Sequence, residues 1–287
     1  MNGLVDPLVY PLQFDFFQKG LLVATLSGAL LGLTGVYITL RGMSYIGHGL
    51  SHSIFGGFAA SQLISAQYYL WGAGLWGVMS ALTIIGVTRR HRIGADAAIG
   101  VVTTASFALG VALLTHFGTS GPSFESALFG SILGISQTQI VMLVAVAVLT
   151  SAVVFLRYRA LLFATFDPDV AEVSGVNVLV TDAVLMVVLS LSILATLNII
   201  GVTLVAAMLV IPPVVARMLS DSFVKTLTLS TVIGAVCGLV GMYASYLAEV
   251  PSGTMIVLIG AVAFVAAMAV ANRRHRARVG AVAAAPR

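Results

Sequence analysis

Long apolar blocks follow one another along the chain, separated by short clusters of glycine, proline and charge. A helix of about 20 apolar residues crosses a bilayer. The pattern predicts nine such spans, near 20–40, 43–66, 68–88, 97–116, 138–156, 180–197, 200–219, 227–248 and 253–271. Only Leu197-Asn198-Ile199 separates the sixth from the seventh, which reads as a tight hairpin or a broken helix. Phe124 to Gly134 is apolar but too short to span, and reads as a half-helix packed on the bundle. Small-xxx-small spacings at Gly28/Gly32, Gly130/Gly134 and Gly234/Gly238 suit close helix contacts. The expected fold is an all-α integral membrane protein, a polytopic bundle of eight to nine transmembrane helices. One transmembrane domain occupies 1–272, followed by a basic tail at 273–287.

Composition agrees. The 287 residues are 59% hydrophobic and 8% charged, whereas soluble domains carry about 25% charge. The first eighteen residues hold Asp6 and Asp15 but no Lys or Arg, so a cleaved signal is not expected there. The net charge of +4 is explained by position and does not call for a nucleic-acid partner. With the N-terminus outside and nine alternating spans, Lys19 is the one basic residue left outside, and the other thirteen of fourteen face the cytoplasm. Such sorting is the positive-inside pattern of a multi-pass protein in lipid. The outer face carries Asp6, Asp15, Glu125 and Glu249, an acidic mouth that mildly concentrates cations or simply solvated loop charge. The single Cys237 lies in an apolar run, so no intrachain disulfide forms and a buried structural role is expected.

The chemistry concentrates in the second span, in Ser44-Tyr45-Ile46-Gly47-His48-Gly49-Leu50-Ser51-His52. Residues four apart leave one helix face. Ser44, His48, Ser51, His52, Phe55, Ala59 and Gln62 therefore form a stripe, with small glycines around the imidazoles. Ionisable groups at membrane depth are costly and mark pathways, and neutral imidazole is a common transition-metal ligand. The pair reads as a place where a divalent cation sheds water, or as two hydrogen-bonded helix contacts. Further ligands would come from water, another helix or a carboxylate. Asp96, Asp182, His116 and Glu249 are the weaker candidates at span ends.

A second feature lies in the cytoplasmic stretch 161–176. Asp167 reads as an N-cap, Pro168 as the first helical residue, Asp169 and Glu172 as acids suited to the helix start, and Gly175 as the stop. The result is a helix of about two turns, either a connector or a knob for a partner. No G-x-x-x-x-G-K-[ST] loop occurs, so an ATPase would have to be a separate chain and this one is not read as an enzyme.

Six blocks in order resemble the metal-cation permeases of ATP-binding-cassette importers, the zinc and manganese type. They are Leu40-Arg41-Gly42-Met43-Ser44 with His48 and His52; Asp96-Ala97-Ala98-Ile99-Gly100-Val101; Leu128 to Gly134; Phe166-Asp167-Pro168-Asp169-Val170-Ala171 with Gly175-Val176; Ala206 to Pro213; and Pro251-Ser252-Gly253 with Ile256-Val257-Leu258. The resemblance implies a homodimeric permease in a bacterial-type plasma membrane. It implies two copies of a cytoplasmic ATP-binding subunit, an extracytoplasmic metal-binding protein, and contact of the 167–176 coupling helix with the ATPase. The transported ion would be zinc or manganese, or iron, with no resident cofactor. Where the family's pattern has an aspartate, this chain has His48, which on ligand chemistry tilts the choice toward zinc. A metal-chelate or cobalamin permease and a stand-alone secondary transporter or channel are the alternative readings.

Overall fold

A computed structural model describes residues 9–62, 69–91, 93–117 and 134–283. They form no strand. After a 3-10 turn at Tyr10–Gln13 come α1 (Asp15–Leu40), α2 (Ile46–Gln62), α3 (Tyr69–His91), α4 (Ala95–Phe117) and α5 (Gln137–Leu156). Two short helices follow, α6 (Tyr158–Phe166) and α7 (Pro168–Val173). The chain ends with α8 (Val178–Ile200), α9 (Val202–Leu219), α10 (Phe223–Ala248) and α11 (Ser252–Ala283). The expected half-helix at 124–134, with Glu125 and Gly130, falls almost wholly outside the described residues.

The all-α membrane fold is as expected. Seven described helices are long and apolar enough to cross a membrane, against the eight or nine expected. α2, described as far as Gln62, mixes serine, histidine and glycine with its aliphatic side chains. In α9 the apolar stretch is Leu204–Leu219, shorter than the seven.

The bundle is centred on α1 and α8, the most buried of the spans. The spacing at Gly28/Gly32 and at Gly234/Gly238 finds its partner within the chain. A methyl on Gly28 would lie 2.1 Å from the Gly234 carbonyl, one on Gly32 2.5 Å from that of Ser230, and one on Gly238 2.2 Å from that of Ala24. The α1 and α10 backbones thus touch, and the Ser230 hydroxyl donates to the Gly32 carbonyl at 2.6 Å. Pro212 and Pro213 lie inside α9. Proline has no N–H, so Pro213 frees the Leu209 carbonyl. That carbonyl points at Gly35, where a methyl would sit 2.1 Å away. A glycine on α1 therefore accommodates the carbonyl that the proline leaves unbonded.

One end of the bundle gathers the basic groups. Arg41 and Arg89 meet Asp182 there, and Tyr37 stacks edge-on against Phe223 at 5.6 Å. Because Asp182 starts α8 and Phe223 starts α10, α8 leaves this end and α9 returns to it. The junction is a tight hairpin made by Gly201 alone, at φ 81 and ψ 160, a conformation essentially reserved for glycine. Leu197 to Ile199, expected to be the loop, are helical.

Candidate functional site

The site is built on α2, which packs chiefly on α3 and α4 and also touches α8 and α9. Its glycines determine how closely. A methyl on Gly56 would meet the Ser106 carbonyl of α4 at 2.5 Å, and one on Gly110 would meet the Gly56 Cα at 2.3 Å. Similarly, Gly47 lies against Leu209 and Gly49 against Ile99 and Thr103. The sequence reading took these glycines as free space beside the imidazoles. In the structure that space is filled by neighbouring helices, and the glycines serve to anchor α2.

Serines secure the rear of the helix. The Ser53 hydroxyl lies 2.5 Å from that of Ser80 on α3 and 2.7 Å from that of Ser106 on α4. It donates to one and accepts from the other, while the Trp76 indole N–H donates to Ser106. Ser51, assigned by spacing to the histidine stripe, is fully buried and donates to the Gly47 carbonyl at 2.7 Å. Its hydrogen is committed to its own helix and its side chain has no exposed surface.

On the opposite face the two imidazoles stand together. The ring centroids of His48 and His52 are 4.5 Å apart at 75°. Tyr45 flanks His48 at 5.4 Å, and Phe107 of α4 flanks His52 at 5.1 Å. His48 is exposed and His52 half-buried. The Nδ1 atom of His52 is buried and has no hydrogen-bond partner among the described residues. A buried polar nitrogen without a partner is costly, and a cation or its water would relieve that cost. Two nitrogen donors on one face can replace part of a hydration shell. A complete cage needs more donors, and among the described residues no group of three His, Cys, Asp or Glu assembles.

The weaker candidates lie elsewhere. Asp96 opens α4 and His116 is in its last turn, both exposed. Phe107, level with His52, is eleven residues from one and nine from the other, so they are about 13–17 Å away along the axis at 1.5 Å per residue. Glu249 is the exposed left-handed cap of α10 at φ 55. Asp182 is engaged by Arg41 at 2.6 Å and Arg89 at 2.7 Å. Its carboxylate is occupied by two guanidiniums at the basic end, which is the physical reason it does not serve the histidines here. Cys237 is buried and free.

The short helix α7 forms as its residues dictate, six residues or just under two turns. The Asp167 carboxylate accepts from Val170 N–H at 3.0 Å and Pro168 occupies the first turn. At the other end Val176 N–H donates to the Ala171 carbonyl at 2.9 Å and Gly175 N–H to that of Glu172 at 3.0 Å. With Gly175 at φ 81 this is a Schellman stop. Ala171 is buried against Ala164, Val176 and Val178. Phe166, Asp169, Val170, Glu172 and Val173 are exposed, a surface with apolar centres and acidic rims.

Sequence reasoning missed the aromatic flanks Tyr45 and Phe107, the hydroxyl cluster, and the arginine grip on Asp182. The last was within reach, since Arg41, Arg89 and Asp182 all fall at span ends on one side of the membrane.

Comparison with known proteins places the chain. The model of the family described as ABC 3 transport family matches residues 13–271. The chain is 35% identical over 253 residues to the manganese transport system membrane protein MntC of Halalkalibacterium halodurans, covering 88% of this chain and 86% of that one. It is 36% identical over 261 residues to the manganese transport system membrane protein MntB of Synechocystis, covering 91% and 85%. The solved structure of PsaBC from Streptococcus pneumoniae in complex with Fab superposes with a TM-score of 0.81 at 28% identity, covering 92% and 95%. By the extent of the family match and the identity to these relatives, this multi-pass chain belongs to the ABC 3 transport family.

Proposed function

We propose that the chain is the membrane permease of an ABC importer for a divalent transition metal, with His48 and His52 as a transient relay. The observation that carries this is the pair of adjacent imidazoles on one face of a helix whose serines are tied down. A cation arriving there exchanges water for nitrogen, keeps its remaining positions for water or groups of a second copy, and moves on. Weak, incomplete coordination favours passage, because conduction requires release as well as entry.

Two copies would pair, each served by a cytoplasmic ATP-binding subunit, with an extracytoplasmic binding protein delivering metal. An exposed stripe on α4, Val101, Thr104, Ala105, Ala108, Leu109 and Ala112, offers the small residues that close membrane contacts use. The exposed face of α7 suits docking to the ATPase. The basic end then faces the cytoplasm with the C-terminus, and the N-terminus lies outside. The two relatives described above are named for manganese. Two nitrogen donors raise the affinity for zinc relative to manganese, so we assign zinc as a cargo alongside manganese.

The test is ATP-dependent uptake by the reconstituted complex, measured for zinc, manganese and iron(II). His52→Ala should abolish uptake while the complex still assembles. Undiminished uptake in that variant would remove the relay, and ATP-independent flux through the chain alone would favour a channel.

A further inference from the structure

We propose that Asp182 is a positioning residue that links movement of α7 to the turn preceding the histidine helix. The proposal rests on the permease reading above. Asp182 stands in the first turns of α8, with its side chain 16% exposed. Its two oxygens serve two different elements. Oδ1 accepts from Arg41 at 2.6 Å and Oδ2 from Arg89 of α3 at 2.7 Å.

Both arginines also reach the segment of α6 and α7, Arg41 on α6 and Arg89 on α7. Arg41 Nε donates to the Thr165 hydroxyl at 3.1 Å, two residues before the Asp167 cap. Arg89 lies 4.0 Å from Glu172 on α7 itself. The two kinds of contact differ. The Arg41–Asp182 pair is nearly buried, with Arg41 only 10% exposed. The Glu172 contact is long and its side chain 61% exposed. Exposed pairs contribute little to stability, so the Glu172 contact is the weaker of the two arms. Breaking the buried pair would strand a charge, so Arg41 and Asp182 move together.

Arg41 transmits that movement because its own backbone is fixed. It is the residue after α1, and Gly42 follows at φ 68. Met43 N–H donates to the Ile38 carbonyl at 3.0 Å and Gly42 N–H to that of Thr39 at 3.2 Å. Ile46 N–H then donates to the Met43 carbonyl at 2.9 Å. This closed turn leads directly into α2, with His48 two residues after Ile46. Displacement of α7 therefore reaches the histidines through Thr165 and Glu172, the two arginines, their shared carboxylate, and a turn with little slack.

The test uses the complete complex with its ATPase in liposomes, comparing metal transported per ATP hydrolysed. Asp182→Asn keeps the shape and removes the charge. Metal per ATP should fall about fivefold or more, the low end of ordinary coupling between sites, while each assembled complex still hydrolyses ATP. Asp182→Glu should restore part of the ratio. A purely structural role would lower the amount of complex and leave the ratio unchanged. If Asp182→Asn does not assemble, Arg89→Gln decides, since it cuts the α3 and Glu172 arm alone and should lower the ratio by a smaller factor. A wild-type ratio in Asp182→Asn, or in Arg89→Gln in that case, overturns the inference. A wild-type complex that moves no metal with ATP would instead overturn the permease reading.

Discussion

Consider a methyl group added at Gly110. It would lie 2.3 Å from the Gly56 Cα and 3.0 Å from the Gly56 carbonyl oxygen, both backbone atoms. Ordinary contact begins near 3.4 Å, so α2 and α4 must separate by at least 3.4 − 2.3 = 1.1 Å at that level. The neighbour is backbone and cannot rotate away. The cost belongs at the upper end of overpacking, about 3 kcal/mol, of which helix propensity returns about 1 kcal/mol. Gly110→Ala should thus destabilise by about 2 kcal/mol, lowering the thermal midpoint in detergent by about 4–8 °C. Gly100 on the same helix has nothing within 4 Å of its added methyl. Gly100→Ala should leave the midpoint unchanged or raise it by a few degrees, since only propensity acts. Separation should also draw Phe107 from His52, so uptake falls in the first variant and not in the second. Equal midpoints for the two variants would refute the claim that glycine contact holds α2 against α4.

Other outcomes follow from the same geometry. His48→Asp should raise the ratio of manganese to zinc uptake in the reconstituted complex, because an oxygen donor replaces a nitrogen. Asp167→Ala removes the side-chain cap of α7 and should cost about 1 kcal/mol, read as roughly fivefold faster amide exchange in 168–173. Gly175→Ala forces a β-carbon into φ 81 and should cost about 1–2 kcal/mol, loosening the same segment. An epitope at the C-terminus should be reached by antibody only after the membrane is permeabilised; access in intact cells would reverse the orientation.

Much of this molecule could be read from residue order. Hydrophobic blocks locate the long helices because lipid demands apolar length and internal hydrogen bonding. The α7 caps were legible because Asp, Pro and Gly act locally, within four residues of where they stand. The His48–His52 pairing was legible for the same reason, one helical turn being a local distance. What stayed hidden depends on partners far apart in sequence. Ser53 shows no preference for Ser80 or Ser106 until three helices converge, and Gly56 gives no sign that Gly110 will face it. The partner of Asp182 was hidden because a carboxylate at a span end suits a metal or an arginine equally well. Arg41, 141 residues away, decides between them.

The position of α2 inside the bundle has a physical explanation. A helix with serines and histidines is a poor partner for lipid. It is held at depth because α3, α4, α8 and α9 wrap it and its hydroxyls are satisfied: Ser51 by Gly47, Ser53 by Ser80 and Ser106, and Ser61 by the Phe58 carbonyl. The imidazoles receive no such treatment. His48 is left exposed beside Tyr45, and the Nδ1 atom of His52 is buried without a bond among the described residues. Random placement of polar groups would not leave serines paired and histidines open on the same two turns. The arrangement leaves the Nδ1 atom of His52 without a hydrogen bond among the described residues, while the serines have theirs. That contrast, more than the presence of histidine itself, supports the proposal that an ion passes along the open face of α2.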